Sequence, residues 1–149
     1  MLFTFLVEPK LHPGIAEPIM GSFEFKAVLL VDDDRQLAET LQWILADENF
    51  MVDVAFDGNE ALAKVKANDY DAIVCDMMMP NVRGDQFYAN ALHLKPSLVN
   101  RFLFMTGHME IPEVANFFKT ERVRCLTKPF PVRRLVDEIR QVVRLPQLS

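Results

Sequence analysis

The stretch Ala72-Ile73-Val74-Cys75-Asp76-Met77-Met78-Met79-Pro80 constrains the fold more than any other. A short, bounded, β-favouring run leads straight into one carboxylate, the pattern of a strand buried on both faces of a parallel sheet. Asp76 then stands at the carboxyl end of that strand, where open α/β sheets gather their ligands. Taken alone, an Asp ahead of a proline is as readily a turn residue. A second run of the same kind, Lys26 to Val31, ends in Asp32-Asp33-Asp34 and shifts the balance.

Residues 1–25 stand apart. Pro9, Pro13 and Pro18, with Gly14 and Gly21 beside them, stop a helix and disfavour a central strand. The segment is expected to be an arm or linker, with the apolar start packing on a neighbour or joining the domain to something upstream. One domain then spans 26–145, and 146–149 form a tail. Lys26 to Val31 predicts a strand, and Leu37, Leu41, Ile44 and Leu45 recur at helical spacing, predicting a helix from about Arg35 to Glu48 with Asp34 as its N-cap. Met51 to Ala55 predicts a second strand, Asp57-Gly58 a turn and Asn59 to Ala67 a helix. Beyond the Asp76 strand, a helix over 85–94 places Phe87, Ala91 and Leu94 inward, and Lys95-Pro96-Ser97 ends it. Val99 to Met105, Glu110 to Lys119, Val123 to Leu126 and Val132 to Arg144 predict strand, helix, strand and helix. This alternation implies an α/β fold: a doubly wound five-stranded parallel sheet with helices on both faces.

A net charge of -5 and a pI near 5.2 exclude a general nucleic-acid binder, because nothing neutralises phosphates. Arg133, Arg134, Arg140 and Arg144 alternate with an apolar helical stripe and are expected to be its solvated face. No apolar run approaches the ~20 residues that cross a bilayer, so no membrane contact is expected. The opening Met1 to Val7 lacks a basic flank and meets Glu8 too soon for a signal peptide. Cys75 and Cys125 fall inside expected strands as buried thiols without framework spacing, which suits a reducing, cytoplasmic location.

Four strand ends carry polar residues toward one edge of such a sheet: Asp32 and Asp33, Asp76, Thr106, and Lys128. Three carboxylates packed together repel, and each resists ionisation. A divalent cation relieves this, and oxygen-only ligands suit Mg²⁺ (or Mn²⁺), which favours a few carboxylates plus a phosphate oxygen. Lys128 adds a point cation and Thr106 a hydroxyl. Together these would bind the equatorial oxygens of a phosphoryl group in transfer, with Asp76 as the nucleophile that forms an acyl phosphate.

With these residues in place, 26–145 resembles the receiver domain of a two-component response regulator. The matching residues are Val31-Asp32-Asp33, Asp76 with Pro80 and Gly84 behind it, Thr106-Gly107 and Lys128-Pro129-Phe130, at matching intervals. The resemblance implies the flavodoxin-like strand order 2-1-3-4-5. It implies that Asp76 takes a phosphoryl group from a phosphohistidine on a histidine kinase or histidine phosphotransfer protein. Asp33, Asp76 and the backbone carbonyl of Met78 would bind Mg²⁺ directly, and Asp32 largely through water. Lys128 would pair with a phosphoryl oxygen, its bond to Pro129 would be cis, and Thr106 would turn to the phosphoryl group as a switch. Met78 and His108 would flank the site and tune dephosphorylation. The surface of the fourth helix, fifth strand and fifth helix would meet partners or form a homodimer. Where regulators of this family usually carry Tyr or Phe, three residues before the lysine, this chain has Cys125. Readout of the switch is therefore expected to be weak or built differently. The stretches 101–108 and 125–130 look more like receivers of hybrid sensor histidine kinases.

Two other functions compete. A haloacid-dehalogenase-like Mg²⁺-dependent phosphatase also uses a strand-end Asp, but its Asp-x-Asp-x-Thr pattern is not matched by Asp32-Asp33-Asp34-Arg35-Gln36. A receiver fold that only binds a partner, without phosphorylation, is disfavoured by the retained carboxylates, Thr106 and Lys128.

Overall fold

The apolar runs form a sheet because each is too short for a helix and rich in β-branched or aromatic residues. In the computed structural model, which describes residues 25–144, they are β1 (Lys26–Val31), β2 (Phe50–Ala55), β3 (Ala72–Asp76), β4 (Phe102–Thr106) and β5 (Arg124–Thr127). All pair in parallel, in the order β2-β1-β3-β4-β5. Between and after them come α1 (Arg35–Asp47), α2 (Gly58–Ala67), α3 (Gly84–Leu94), α4 (Pro112–Glu121) and α5 (Val132–Arg144). The expected doubly wound α/β fold and its strand order are therefore what the chain adopts. The expected arm, apart from Phe25, and the tail lie outside the described residues.

Strand side chains alternate between two cores. Leu29, Val31, Ile73, Cys75, Phe102 and Phe104 face α2, α3 and α4, while Val28, Leu30, Val74, Leu103 and Met105 face α1 and α5. The three central strands are buried on both faces. Their carboxyl ends are thus fixed in depth, and so are the residues that follow them.

Helix starts aim those ends. Asp34 caps α1, its Oδ1 accepting from Leu37 N–H at 3.1 Å. At α2, Asp57 Oδ1 accepts from Glu60 N–H at 2.8 Å, and Glu60 Oε1 reaches past the cap to accept from Phe56 N–H at 2.8 Å. Asp57→Ala is expected to lower the unfolding free energy by about 1 kcal/mol. Urea midpoints read this directly, and an unchanged midpoint would mean that water replaces the cap at no cost.

Several sequence expectations need correction. β4 begins at Phe102 rather than Val99, because Pro96 opens a 3₁₀ turn over Pro96–Asn100 that buries Leu98. α4 runs Pro112–Glu121 rather than 110–119, with Pro112 at its first turn, where no N–H is needed. Leu94 is 41 % exposed, and Tyr88 takes the inward position instead. Among the α5 arginines, Arg133 and Arg134 are exposed and Arg140 is half-buried, and these three are ion-paired. Arg133 and Arg140 both reach Glu48, at 3.2 and 2.7 Å, clamping α5 to the end of α1. Cys125 is half-buried rather than buried.

Candidate functional site

Asp32 follows β1 directly, and Asp76 is the last residue of β3. Since β1 and β3 are neighbours, the two carboxylates meet across one strand spacing. Oxygens of Asp32, Asp33 and Asp76 lie within 4.8 Å of one another. Asp32 and Asp76 are buried, at 1 % and 7 % exposure, whereas Asp33 is exposed. Asp34 N–H donates to Asp32 Oδ1 at 2.9 Å, so the turn into α1 fixes this carboxylate. Lys128, one residue past β5, sends its Nζ to 3.4 Å from Asp32 Oδ2 and 3.7 Å from Asp76 Oδ1. Its backbone N–H donates to Thr106 O at 2.8 Å, and the following Lys128–Pro129 peptide is cis.

Burial decides the electrostatics. It pushes the Asp76 carboxyl up to about 6, and the Lys128 ammonium and a hydrogen bond from the Met78 backbone only partly oppose it. Asp32 is raised by the same cause, against Asp34 N–H and Lys128. The site thus holds carboxylates that resist ionising, a condition a divalent cation relieves. The donor set is oxygen only, compact and open on the Asp33 side, which fits Mg²⁺ or Mn²⁺.

Thr106 ends β4 at the same edge and is fully buried. Its hydroxyl oxygen accepts from His108 N–H at 3.0 Å, so it is engaged with its own loop. His108 is exposed, with Nδ1 3.5 Å from Glu110. Met78 is half-buried beside Asp76. Asp32, Asp33, Asp76 and Lys128 are therefore brought together, while Met78 follows Asp76 by two residues and Thr106 ends β4 with His108 in the loop beyond it. Cys125 is not at this edge. It pairs in register with Phe104 and packs toward the α4 side, where burial pushes its thiol up to about 11.

Gly84 has a role that its place in the motif did not reveal. A Cβ there would lie 2.7 Å from Asp76 O and 2.9 Å from the Met77 Cα. The start of α3 can approach the end of β3 only because this residue lacks a side chain. The loop between them is braced by Arg83, whose Nε and Nη2 donate to Asp85 at 3.1 and 2.8 Å. The Arg-x-Asp spacing was the one available signal for that brace.

Comparison with known proteins gives a consistent picture. A family model described as the response regulator receiver domain matches residues 28–140. The transcriptional regulatory protein CutR of Streptomyces coelicolor is 31% identical over 117 residues, covering 78% of this chain and 53% of that protein. The transcriptional regulatory protein DltR of Streptococcus agalactiae is 29% identical over 121 residues, covering 81% and 53%. The solved structure of the Vibrio cholerae chemotaxis protein CheY4 superimposes with a TM-score of 0.72 at 28% identity, covering 80% of this chain and 99% of that one. The chain spans about half the length of these curated relatives.

Proposed function

This chain belongs to the response regulator receiver domain family, and on that premise we propose that it is the phosphoacceptor of a two-component system or phosphorelay. Asp76 accepts the phosphoryl group of a phosphohistidine on a histidine kinase or histidine phosphotransfer protein. A carboxylate oxygen of Asp76 attacks phosphorus as the P–N bond breaks, and the electron pair leaves with the imidazole. The product is an acyl phosphate on Asp76. The carboxylates of Asp32, Asp33 and Asp76 and the carbonyl of Met78 would hold Mg²⁺ or Mn²⁺. When bound, that ion would offset carboxylate repulsion and the charge on the phosphoryl oxygens.

The observation that carries this reading is the approach of one ammonium, Lys128 Nζ, to two buried carboxylates at 3.4 and 3.7 Å. Once Asp76 carries a phosphoryl group, Lys128 can shift its ion pair to a phosphoryl oxygen. Thr106 can then donate its hydroxyl to another, giving up the acceptor contact with His108 N–H. That exchange would pull on the loop into α4. Through it, the switch would reach the face formed by α4, β5 and α5, where a partner or second copy would bind. The proposed contacts of this chain are with proteins, in the cytoplasm. Among the described residues, no helix is long and apolar enough to cross a membrane.

The test is incubation with acetyl phosphate and Mg²⁺, followed by intact mass. One stable added phosphoryl group, mapped to Asp76, is the expected result. Steady release of phosphate without an adduct would instead indicate a phosphatase, and no reaction a binding module.

Once formed, the acyl phosphate is expected to decay slowly, because a bulky apolar side chain at the half-buried Met78, two residues past Asp76, would hinder the attacking water and could not orient it. Met78→Asn is expected to speed decay about tenfold, equivalent to ~1.4 kcal/mol of barrier. Timed mass spectra measure it, and an unchanged half-life contradicts the role given to Met78.

A further inference from the structure

Beside the site lies an apolar groove of about 400 Å³. Leu37 and Leu41 of α1 form one wall, and Pro129, Phe130 and Val132 the other, with Lys128 at the end nearest the carboxylates. Leu41 is buried as the floor, while Leu37, Phe130 and Val132 are half-buried and keep apolar surface open to solvent. The size suits a small ligand, but small-ligand sites place several polar groups around an apolar cleft. Here Lys128 is the one charged or polar lining residue, and it is already turned toward Asp32 and Asp76. The lining therefore fits apolar side chains of a peptide better than a metabolite.

From this we infer that the groove takes the chain's own segment Leu2–Val7. That run holds Leu2, Phe3, Phe5, Leu6 and Val7, a density of large apolar residues not found elsewhere in 1–24. Such a stretch gains free energy by leaving water, at roughly 1.5–3 kcal/mol for each large side chain fully buried. Glu8 follows at once, and Arg133 and Arg134 flank Val132, each about 60 % exposed. A Glu8 carboxylate next to that wall would add to ion pairs already there.

The tether is long enough. β1 starts at Lys26, on the opposite edge of the sheet from the groove, and its six residues span about 20 Å. Residues 8–25 reach about 55 Å even in the proline-favoured extended form, at ~3.1 Å per residue. Joining the two in one chain gives an effective concentration in the millimolar range, so weak intrinsic affinity suffices. The docking does not depend on the proposed phosphoacceptor role.

The experiment compares the full chain with a full-chain variant carrying Leu2→Ser, Phe3→Ser, Phe5→Ser and Leu6→Ser. Methyl NMR spectra should differ at Leu37, Leu41 and Val132 and coincide at core methyls such as Ile73 and Ile139. A synthetic peptide of residues 1–8, added at millimolar concentration to the variant, should restore the wild-type positions. Coincident groove methyls in the two chains would overturn the inference. So would wild-type shifts that vanish on dilution as sedimentation reports a dimer dissociating, since the segment of a second copy would then fill the groove. Acetyl phosphate labelling of the variant should proceed as in the wild type. Failure to label either chain would count against the phosphoacceptor reading and leave the docking result standing.

Discussion

Asp76→Asn is expected to abolish covalent phosphorylation and, in the absence of divalent ions, to make the folded protein more stable. The first effect follows from chemistry, because an amide neither attacks phosphorus as a carboxylate does nor forms an acyl phosphate. The second follows from burial, which raises the Asp76 carboxyl from 3.8 to about 6. Between those values the folded state binds more protons than the unfolded state, so stability increases as pH falls through about 6 and levels off below about 4. At pH 7 both states are ionised, and the full cost of keeping Asp76 charged is felt. A shift of about two units corresponds to ~3 kcal/mol, an upper bound for a site open on the Asp33 side. Asn has nearly the same shape and no charge. It should therefore raise the unfolding free energy at pH 7 in EDTA by about 1–3 kcal/mol. Saturating Mg²⁺ should shrink the difference, because the ion stabilises the wild type by binding the folded state. Apparent Mg²⁺ affinity of the wild type should in turn weaken as pH drops through about 6, as the ion and the proton compete for the same carboxylate. A variant no more stable than wild type in EDTA would show that Asp76 is not held charged against its preference.

The residues proposed to bear chemistry were legible in the sequence because strand ends are. An apolar run that stops at a carboxylate, hydroxyl or ammonium marks its own boundary, and parallel strands place all such boundaries on one edge. Asp32, Asp76, Thr106 and Lys128 were found this way. What depends on register or depth was not legible. Val99 is as apolar as a strand residue, yet Pro96 and the burial of Leu98 put it in a turn, moving the start of β4 to Phe102. Thr106 could be placed at the edge, but its bond with His108 N–H is set by the loop path and left no mark on periodicity. The cap of α2 was written in Asp57 and Glu60, and only the turn was read from it. Half-burial of Cys125 follows from β5 being an edge strand, a consequence of the sheet order rather than of its neighbours in sequence.

Gly84→Ala should do the most structural damage of any single added methyl group, and it should damage the site with the fold. The new Cβ would meet Asp76 O at 2.7 Å, Met77 Cα at 2.9 Å and the Phe104 ring at 3.2 Å. Two of these are backbone atoms of the strand that carries the proposed nucleophile, and the third is locked in an aromatic cluster with Phe102, Tyr88, Phe117 and Phe118. No rotamer relieves the clash, so α3 must move away from β3. That strains the bond from Gly84 N–H to Met77 O, now 2.8 Å. Overpacking a core typically costs 1–3 kcal/mol, and a clash against backbone belongs at or above the upper end, so a loss of about 2–4 kcal/mol is expected. Because the displaced atoms flank Asp76 and Met78, acetyl phosphate labelling of the folded fraction should also slow, by about tenfold to a hundredfold. Gly58→Ala is the contrasting case. Its Cβ would meet Val82 Cβ and Cγ1 at 2.7 Å and the Val82 carbonyl at 3.3 Å, so the half-buried loop at Val82 must shift, but no atom of Asp76 or Met77 is among those contacts. It should lose stability yet label at close to the wild-type rate. If Gly84→Ala unfolds and labels like wild type, or if Gly58→Ala slows labelling as severely, the close approach of α3 to β3 is not what holds Asp76 in place.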